Sequence, residues 1–244
     1  MSGHSKWNNI KRTKEKSDAK KGKVFTKLGR EIAVIVKQGG ADPATNARLK
    51  DAITKAKQAN MPNDTIDRSI KKASGDLAGV NFESMTYEGY GVAGSAVIVE
   101  CLTDNKNRTA GDVRHAFDKH GGSLGLAGCV SYLFNRKGLL VVLKEDVSDV
   151  DSLMMDALEA GAKDVIENDD SVEIVTESSD YSKIQEALEK AGYKIVSSEE
   201  GLFPDNYVDL PTEKTAQFVR MIDMLEDLDD VQEVYHNVNL GDEE

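Results

Sequence analysis

Residues 139–196 read LLVVLKEDVSDVDSLMMDALEAGAKDVIENDDSVEIVTESSDYSKIQEALEKAGYKIV. Leu139–Leu143 is an apolar run of strand length. Val150–Ala160 then carries Leu153, Met154, Ala157 and Leu158 at helical spacing. Asp164–Glu167 and Val172–Thr176 are two short strands, Ile184–Ala191 is a helix, and Tyr193–Val196 is a strand. The order is βαββαβ, the split βαβ or ferredoxin-like pattern, and the self-contained unit spans residues 137–202.

The flanks have a different character. Residues 1–17 hold too few apolar positions to pack alone. From Asp18, Val24, Leu28, Ile32 and Ile35 form one helical face, which Gly39-Gly40 ends. Asp42-Pro43 reads as an N-cap and first-turn proline for a helix carrying Leu49, Ala52, Ile53 and Ala56. Pro62-Asn63 opens a third helix, with Ile66, Ile70 and Ala73 inward and Gly75 at its end. Ser95–Leu102 is a β run, Asn107–His120 a helix, and Val130–Phe134 a strand after the glycine loop GGSLGLAG. Beyond residue 202, Tyr207–Leu210 is a short strand. Pro211-Thr212 starts a helix with Phe218, Ile222, Leu225 and Leu228, and Val231–Tyr235 is a strand. The pattern predicts an α+β multidomain chain with an N-terminal three-helix bundle and two α+β, ferredoxin-like domains, the third inserted in the second. The expected boundaries are 1–77, then 78–134 with 203–240, and 135–202 as the insert.

A length of 244 residues with 39% hydrophobic content allows two or three such cores. The net charge of −12 conceals a strong segregation. Residues 1–74 carry 18 Lys/Arg against 7 Asp/Glu, a net +11, and residues 75–244 carry 13 against 36, a net −23. Such a layout offers a cationic pole to a polyanion, or serves solubility. Cys101 and Cys129 lack metal-ligand spacing and suit small core residues of a reducing compartment. No apolar run approaches a membrane span, and the charged N-terminus has no signal core, so a cytoplasmic location is expected.

Several motif matches fail on context. Gly89–Gly94 fits GxGxxG, but a strand follows where a dinucleotide site needs a helix. Gly121-Gly122-Ser123-Leu124-Gly125 fits GxSxG, but a helix precedes it and a strand follows, the reverse of a nucleophile elbow. His4, His115, His120 and His236 form no metal-spaced pair. The acidic run Glu226–Asp230 lacks the ligand order of a calcium loop and reads as a solvated face. No convergent catalytic set is present, and no cofactor, metal or small-molecule substrate is expected.

The basic N-terminus is the candidate site. Lys6, Lys11, Arg12, Lys14, Lys16, Lys20, Lys21, Lys23, Lys27 and Arg30 stand against only Glu15 and Asp18 in thirty residues. Phosphates neutralise such a density of cations, with release of condensed counterions. Trp7 beside Lys6 can stack on an unpaired base, or pack on the protein. Asp104 or Asn105 can cap the helix at residue 107. Arg108, in its first turn, serves that cap or contacts nucleic acid.

MSGHSKWNNIK at 1–11, GKVFTKL at 22–28, NMPNDTIDRSIKKASG at 60–75 and YEGYGVAGSAVIVECLTDNKNRT at 87–109 together resemble the YebC/PmpR family. VRHAFDKHGGSLG at 113–125, CVSYLF at 129–134 and LEDLDDVQEVYHN at 225–237 extend the match over nearly the whole chain. Val92-Ala93 stands where the family usually has Pro-Gly, and Ser2 where Ala is common. The resemblance implies three domains with the third inserted in the second. It implies cytoplasmic DNA-binding transcriptional regulation, or action on the ribosome in translation, including relief of stalls at proline-rich stretches. The expected partner is DNA, or ribosomal RNA and the ribosome, without a membrane. The oligomeric state is not legible.

Overall fold

The computed structural model describes residues 21–75 and 82–240. The readings of Lys6, Trp7, Lys11, Arg12, Lys14, Lys16 and Lys20, and of the Lys21 side chain, lie outside the described residues. In chain order the elements are α1 (Lys21–Gly39), α2 (Ala47–Gln58), α3 (Asn63–Ser74), β1 (Glu83–Tyr90), β2 (Ala96–Thr103), α4 (Lys106–Lys119), β3 (Ser123–Leu124), β4 (Phe134–Leu143), α5 (Val150–Ala160), β5 (Asp164–Glu167), β6 (Ser171–Glu177), α6 (Tyr181–Lys190), β7 (Ile195–Pro204), β8 (Val208–Asp209), α7 (Thr212–Glu226), β9 (Val231–His236) and β10 (Val238–Asn239). The fold is α+β, and the described chain divides into two compact units.

Among the described residues, one unit comprises 21–75, 82–131 and 210–236. Its first three helices share a core of Leu28, Ile32, Ile35, Val36, Leu49, Ala52, Ala56 and Ile66. Each fully buried aliphatic side chain there contributes about 1.5–3 kcal/mol of transfer free energy before entropy is counted. The α1–α2 joint differs from the expected Asp42-Pro43 start. Asp42 accepts from the Thr45 and Asn46 amides in a separate turn, and Asn46 is the N-cap of α2. The Asn46 side chain accepts from Leu49 N–H and donates to the carbonyls of Ile35 and Gly40. One buried amide thus closes α1 and opens α2, which Asp42 is too far upstream to do.

The same unit holds an antiparallel sheet of order β3-β1-β2-β9, with α4 and α7 packed through Phe117 and Phe218. Strand β1 was not legible as a strand, because ESMTYEGY exposes polar residues and buries Glu88. It contains Gly89-Tyr90, so a strand precedes as well as follows the GxGxxG match. A Cβ on Gly89 would lie 2.6 Å from the Ser123 carbonyl and 2.7 Å from the Phe117 ring, so this glycine serves close packing. Ala93 adopts φ 56°, a left-handed conformation that costs an L-residue about 1–2 kcal/mol. The Val-Ala departure therefore carries a local strain that Gly would relieve.

The second unit comprises residues 132–209 and, among those described at the C-terminus, 237–240. It is wider than the 135–202 segment marked out by the sequence pattern. Its sheet has order β5-β6-β4-β7, every pairing antiparallel. With α5 and α6 between the strands this is the ferredoxin-like βαββαβ order. Helices and sheet bury Leu140, Val142, Leu153, Val172, Ile174, Ile184 and Leu188. Two separate strands at 130–134 and 139–143 were expected. Residues 131–133 instead form a 3-10 turn, and β4 is continuous from Phe134 to Leu143. Gly138, which resembles a break in sequence, admits the Tyr181 ring and Thr176 hydroxyl where a Cβ would stand. The last strand also runs on to Pro204, paired with β4 along its length. Leu158, expected inward, is 52% exposed, because the buried stripe of α5 is Leu153 and Ala157. Parallel pairing of β8 with β10 completes the unit. No described helix is long and apolar enough to cross a membrane.

Candidate nucleic-acid interface

Lys23, Lys27 and Arg30 follow i, i+4, i+7 spacing and so share one face of α1. That face meets the acidic turn between α7 and β9. Lys23 Nζ lies 3.2 Å from the Asp227 carboxylate and donates to the Asp227 carbonyl at 3.1 Å. Lys27 Nζ donates to the Glu226 carbonyl at 3.1 Å. Both cations thus meet the C-terminal carbonyls of α7, where the helix dipole favours positive charge. Burial lowers the Lys27 pKa from its ordinary value, and Glu233 and Glu226 oppose that shift.

Arg30 forms the centre of the contact. Its Nη1 donates to Asp230 Oδ1 at 2.6 Å, to the Asp229 carbonyl at 2.6 Å and to the Leu102 carbonyl at 3.3 Å. The guanidinium also lies over the Phe82 ring, 5.3 Å from its centroid. Asp230 is buried, at 6% exposure, and its second oxygen is equally engaged. Arg108 Nη2 donates to Asp230 Oδ2 at 2.7 Å and to Asp104 Oδ1 at 2.7 Å. Thr109 Oγ1 donates to Asp230 Oδ2 at 2.7 Å, and the buried Thr103 hydroxyl stands 3.3 Å away. Burial alone would push this carboxyl up. Hydrogen bonds from Arg108, Thr109 and Arg30 outweigh that and hold it below the usual carboxylate range. Cys101, buried beside Asp230, has its thiol pushed up to about 12, mainly by desolvation, and is a packing residue.

Three stretches far apart in sequence therefore meet at one carboxylate. The acidic run, expected as a solvated face, is instead a receptor for the cations of α1, with Asp230 inside it. Arg30 and Arg108, both candidate phosphate contacts, are each held by Asp230. Asn105 caps α4 by accepting from Arg108 N–H at 3.1 Å, and Arg108 adds its side chain to the same corner. No local signal marked Asp230, since its partners lie 122 and 200 residues away. The i, i+4, i+7 cation stripe on α1 was the one visible hint.

A second buried acid shapes the glycine loop. Glu88, at 8% exposure, accepts from the Gly128, Val130 and Ser131 amides at 2.8, 3.0 and 2.8 Å. Desolvation would raise its pKa, but these three donors hold it below the ordinary value. Tyr90 adds a hydrogen bond from its hydroxyl to the Cys129 carbonyl at 2.9 Å. The loop is thus braced by backbone contacts, and the GxSxG serine sits in the two-residue strand β3. Among the described residues no group of three or more His, Cys, Asp or Glu is placed to hold a metal ion. His236 packs edge-on against Phe218 at 5.1 Å.

A probable transcriptional regulatory protein of Acetivibrio thermocellus is 57% identical over 238 residues, covering 97% of this chain and 98% of the relative. One from Thermoanaerobacter pseudethanolicus is 54% identical over 243 residues, covering 100% and 99%. The crystal structure of a conserved hypothetical protein from Aquifex aeolicus superposes with a TM-score of 0.79 at 44% identity, covering 93% of each chain. The TACO1/YebC N-terminal domain model matches residues 5–76, and the model of the TACO1/YebC second and third domains matches residues 82–238. With both models matched in order along the chain that builds the Asp230 cluster, this protein belongs to the TACO1/YebC family.

Proposed function

We propose that the chain is a nucleic-acid-binding regulator of gene expression that acts on transcription by binding DNA, without catalysis, in the cytoplasm. The observation that carries this reading is the +11 charge of residues 1–74 on a chain that is otherwise −23. The names of the relatives, probable transcriptional regulatory proteins, support it. Lys23, Lys27 and Arg30 anchor the first helix to the acidic turn. The phosphate contacts then fall to Lys6, Lys11, Arg12, Lys14, Lys16, Lys20 and Lys21, which position the protein without reading sequence.

Reversing the charge of Lys11, Arg12, Lys20 and Lys21 together tests the assignment. Affinity should fall for every nucleic acid, and the log–log salt slope should flatten by about 0.7–0.9 for each lost contact. An unchanged slope contradicts it. A second reading is a ribosome-bound translation factor that relieves stalling at proline-rich sequences. Trp7 beside Lys6 favours it, because an indole stacks on unpaired bases of structured RNA. Ribosome co-sedimentation, measured beside promoter-fragment binding at one salt concentration, separates the two.

A further inference from the structure

Helices α2 and α3 line an open surface groove of about 590 Å³. Its floor is aliphatic: Ile53 and Ile66 at the edge of the helical core, with Pro43 beside them. Its rim is polar. Lys50 and Lys57, seven residues apart on α2, flank Thr54 on one side, and Asn63 and Asp67 stand on α3 at the other. Both lysines are exposed and have no carboxylate partner among the described residues. They contrast with Lys55 of the same helix, which turns to Glu31 and Glu233.

We propose that this groove takes one unstacked base of a single-stranded nucleic acid. The backbone phosphates on either side of that base would lie on Lys50 and Lys57. The inference rests on the nucleic-acid reading above and adds a second, base-contacting site to it. Charge selects the occupant, since two lysines against the one carboxylate of Asp67 leave the groove net positive, which fits a polyanion better than a neutral peptide. Shape selects the strand state. An aliphatic floor covers the face of a splayed base, and a base inside a duplex cannot enter. The Asn63 amide and Asp67 carboxylate offer both donor and acceptor groups to a base edge, the pairing by which side chains distinguish bases.

The test uses the full chain and two labelled probes of about 20 nucleotides, a single-stranded RNA and a DNA duplex, longer than one site. Binding is followed by anisotropy across a salt series. Lys50→Ala with Lys57→Ala should weaken the single strand about tenfold and flatten its salt slope by about 1.4, from two contacts at about 0.7 each. Thr54→Leu, which narrows the groove without changing charge or adding a ring on which a base could stack, should weaken the single strand while leaving the salt slope and the duplex affinity as in the parent. Unchanged melting by circular dichroism confirms that each variant is folded. Parental single-strand affinity in both variants overturns the proposal and leaves the N-terminal reading intact. Equal weakening of strand and duplex by Thr54→Leu also overturns it. A parent that binds neither probe removes the nucleic-acid reading together with the groove.

Discussion

Lys27 on α1 and Lys57 on α2 carry the same charge in the same helical module, yet the structure uses them oppositely. Lys27 is partly buried against the Glu226 carbonyl, and with Lys23 and Arg30 it fastens α1 to the acidic turn. Lys57 stands exposed at the rim of an aliphatic groove. The difference teaches that a count of cations overstates what is available to a polyanion. A lysine whose helical face meets a carboxylate-rich turn is already neutralised, and a phosphate must displace that turn to use it.

The contrast can be broken most sharply at Asp230. Asp230→Ala leaves the largely buried Arg30 guanidinium without its carboxylate and Thr109 without its acceptor, and should cost about 3 kcal/mol by urea denaturation, the low end for breaking a buried pair. A loss below about 1 kcal/mol would mean that the cluster is not a structural centre. Next in size is its pH dependence. The folded Asp230 pKa is depressed, so its stabilisation is complete above the unfolded value of about 3.9 and is lost as pH falls through the lower folded value. The stability gap between parent and Asp230→Ala should therefore be full near neutrality and narrow below about pH 4. A gap constant down to pH 2 or so would show that the carboxylate's charge is not what matters.

Smaller effects sharpen the distinction. The Lys23–Asp227 pair is over 40% exposed on both sides, so Lys23→Ala should cost no more than about 0.5 kcal/mol. Lys50→Ala and Lys57→Ala should change stability by less than that in thermal melts, because their side chains meet no described carboxylate. A clear loss there would place them with the structural cations.

Much of the architecture was legible. The strand and helix lengths of 139–196 predicted βαββαβ because buried aliphatics recur with period 2 or 3.6 according to the element that holds them. Val150–Ala160 matches α5 in both bounds. Elements governed by polar burial were not legible. β1 escaped notice because Glu88 breaks its apolar pattern, and its burial makes sense only with three amides of a loop about 40 residues away. The break expected between the strands at 130–134 and 139–143 failed for a similar reason, at Gly138 inside the continuous strand. A glycine signals a turn or a close approach, and only the ring of Tyr181 decides between them.

What the sequence determined by itself is the order of elements, the segregation of charge and the family, because these depend on local spacing and on residue types read in order. Which cations remain open to a ligand was decided by tertiary structure alone. Asp230 draws Arg108 and Arg30 from 122 and 200 residues away, and Asn46 rather than Asp42 bridges two helix ends. A buried polar group must be satisfied by whichever partner the fold brings to it. That partner is set by packing in three dimensions, which no local spacing encodes.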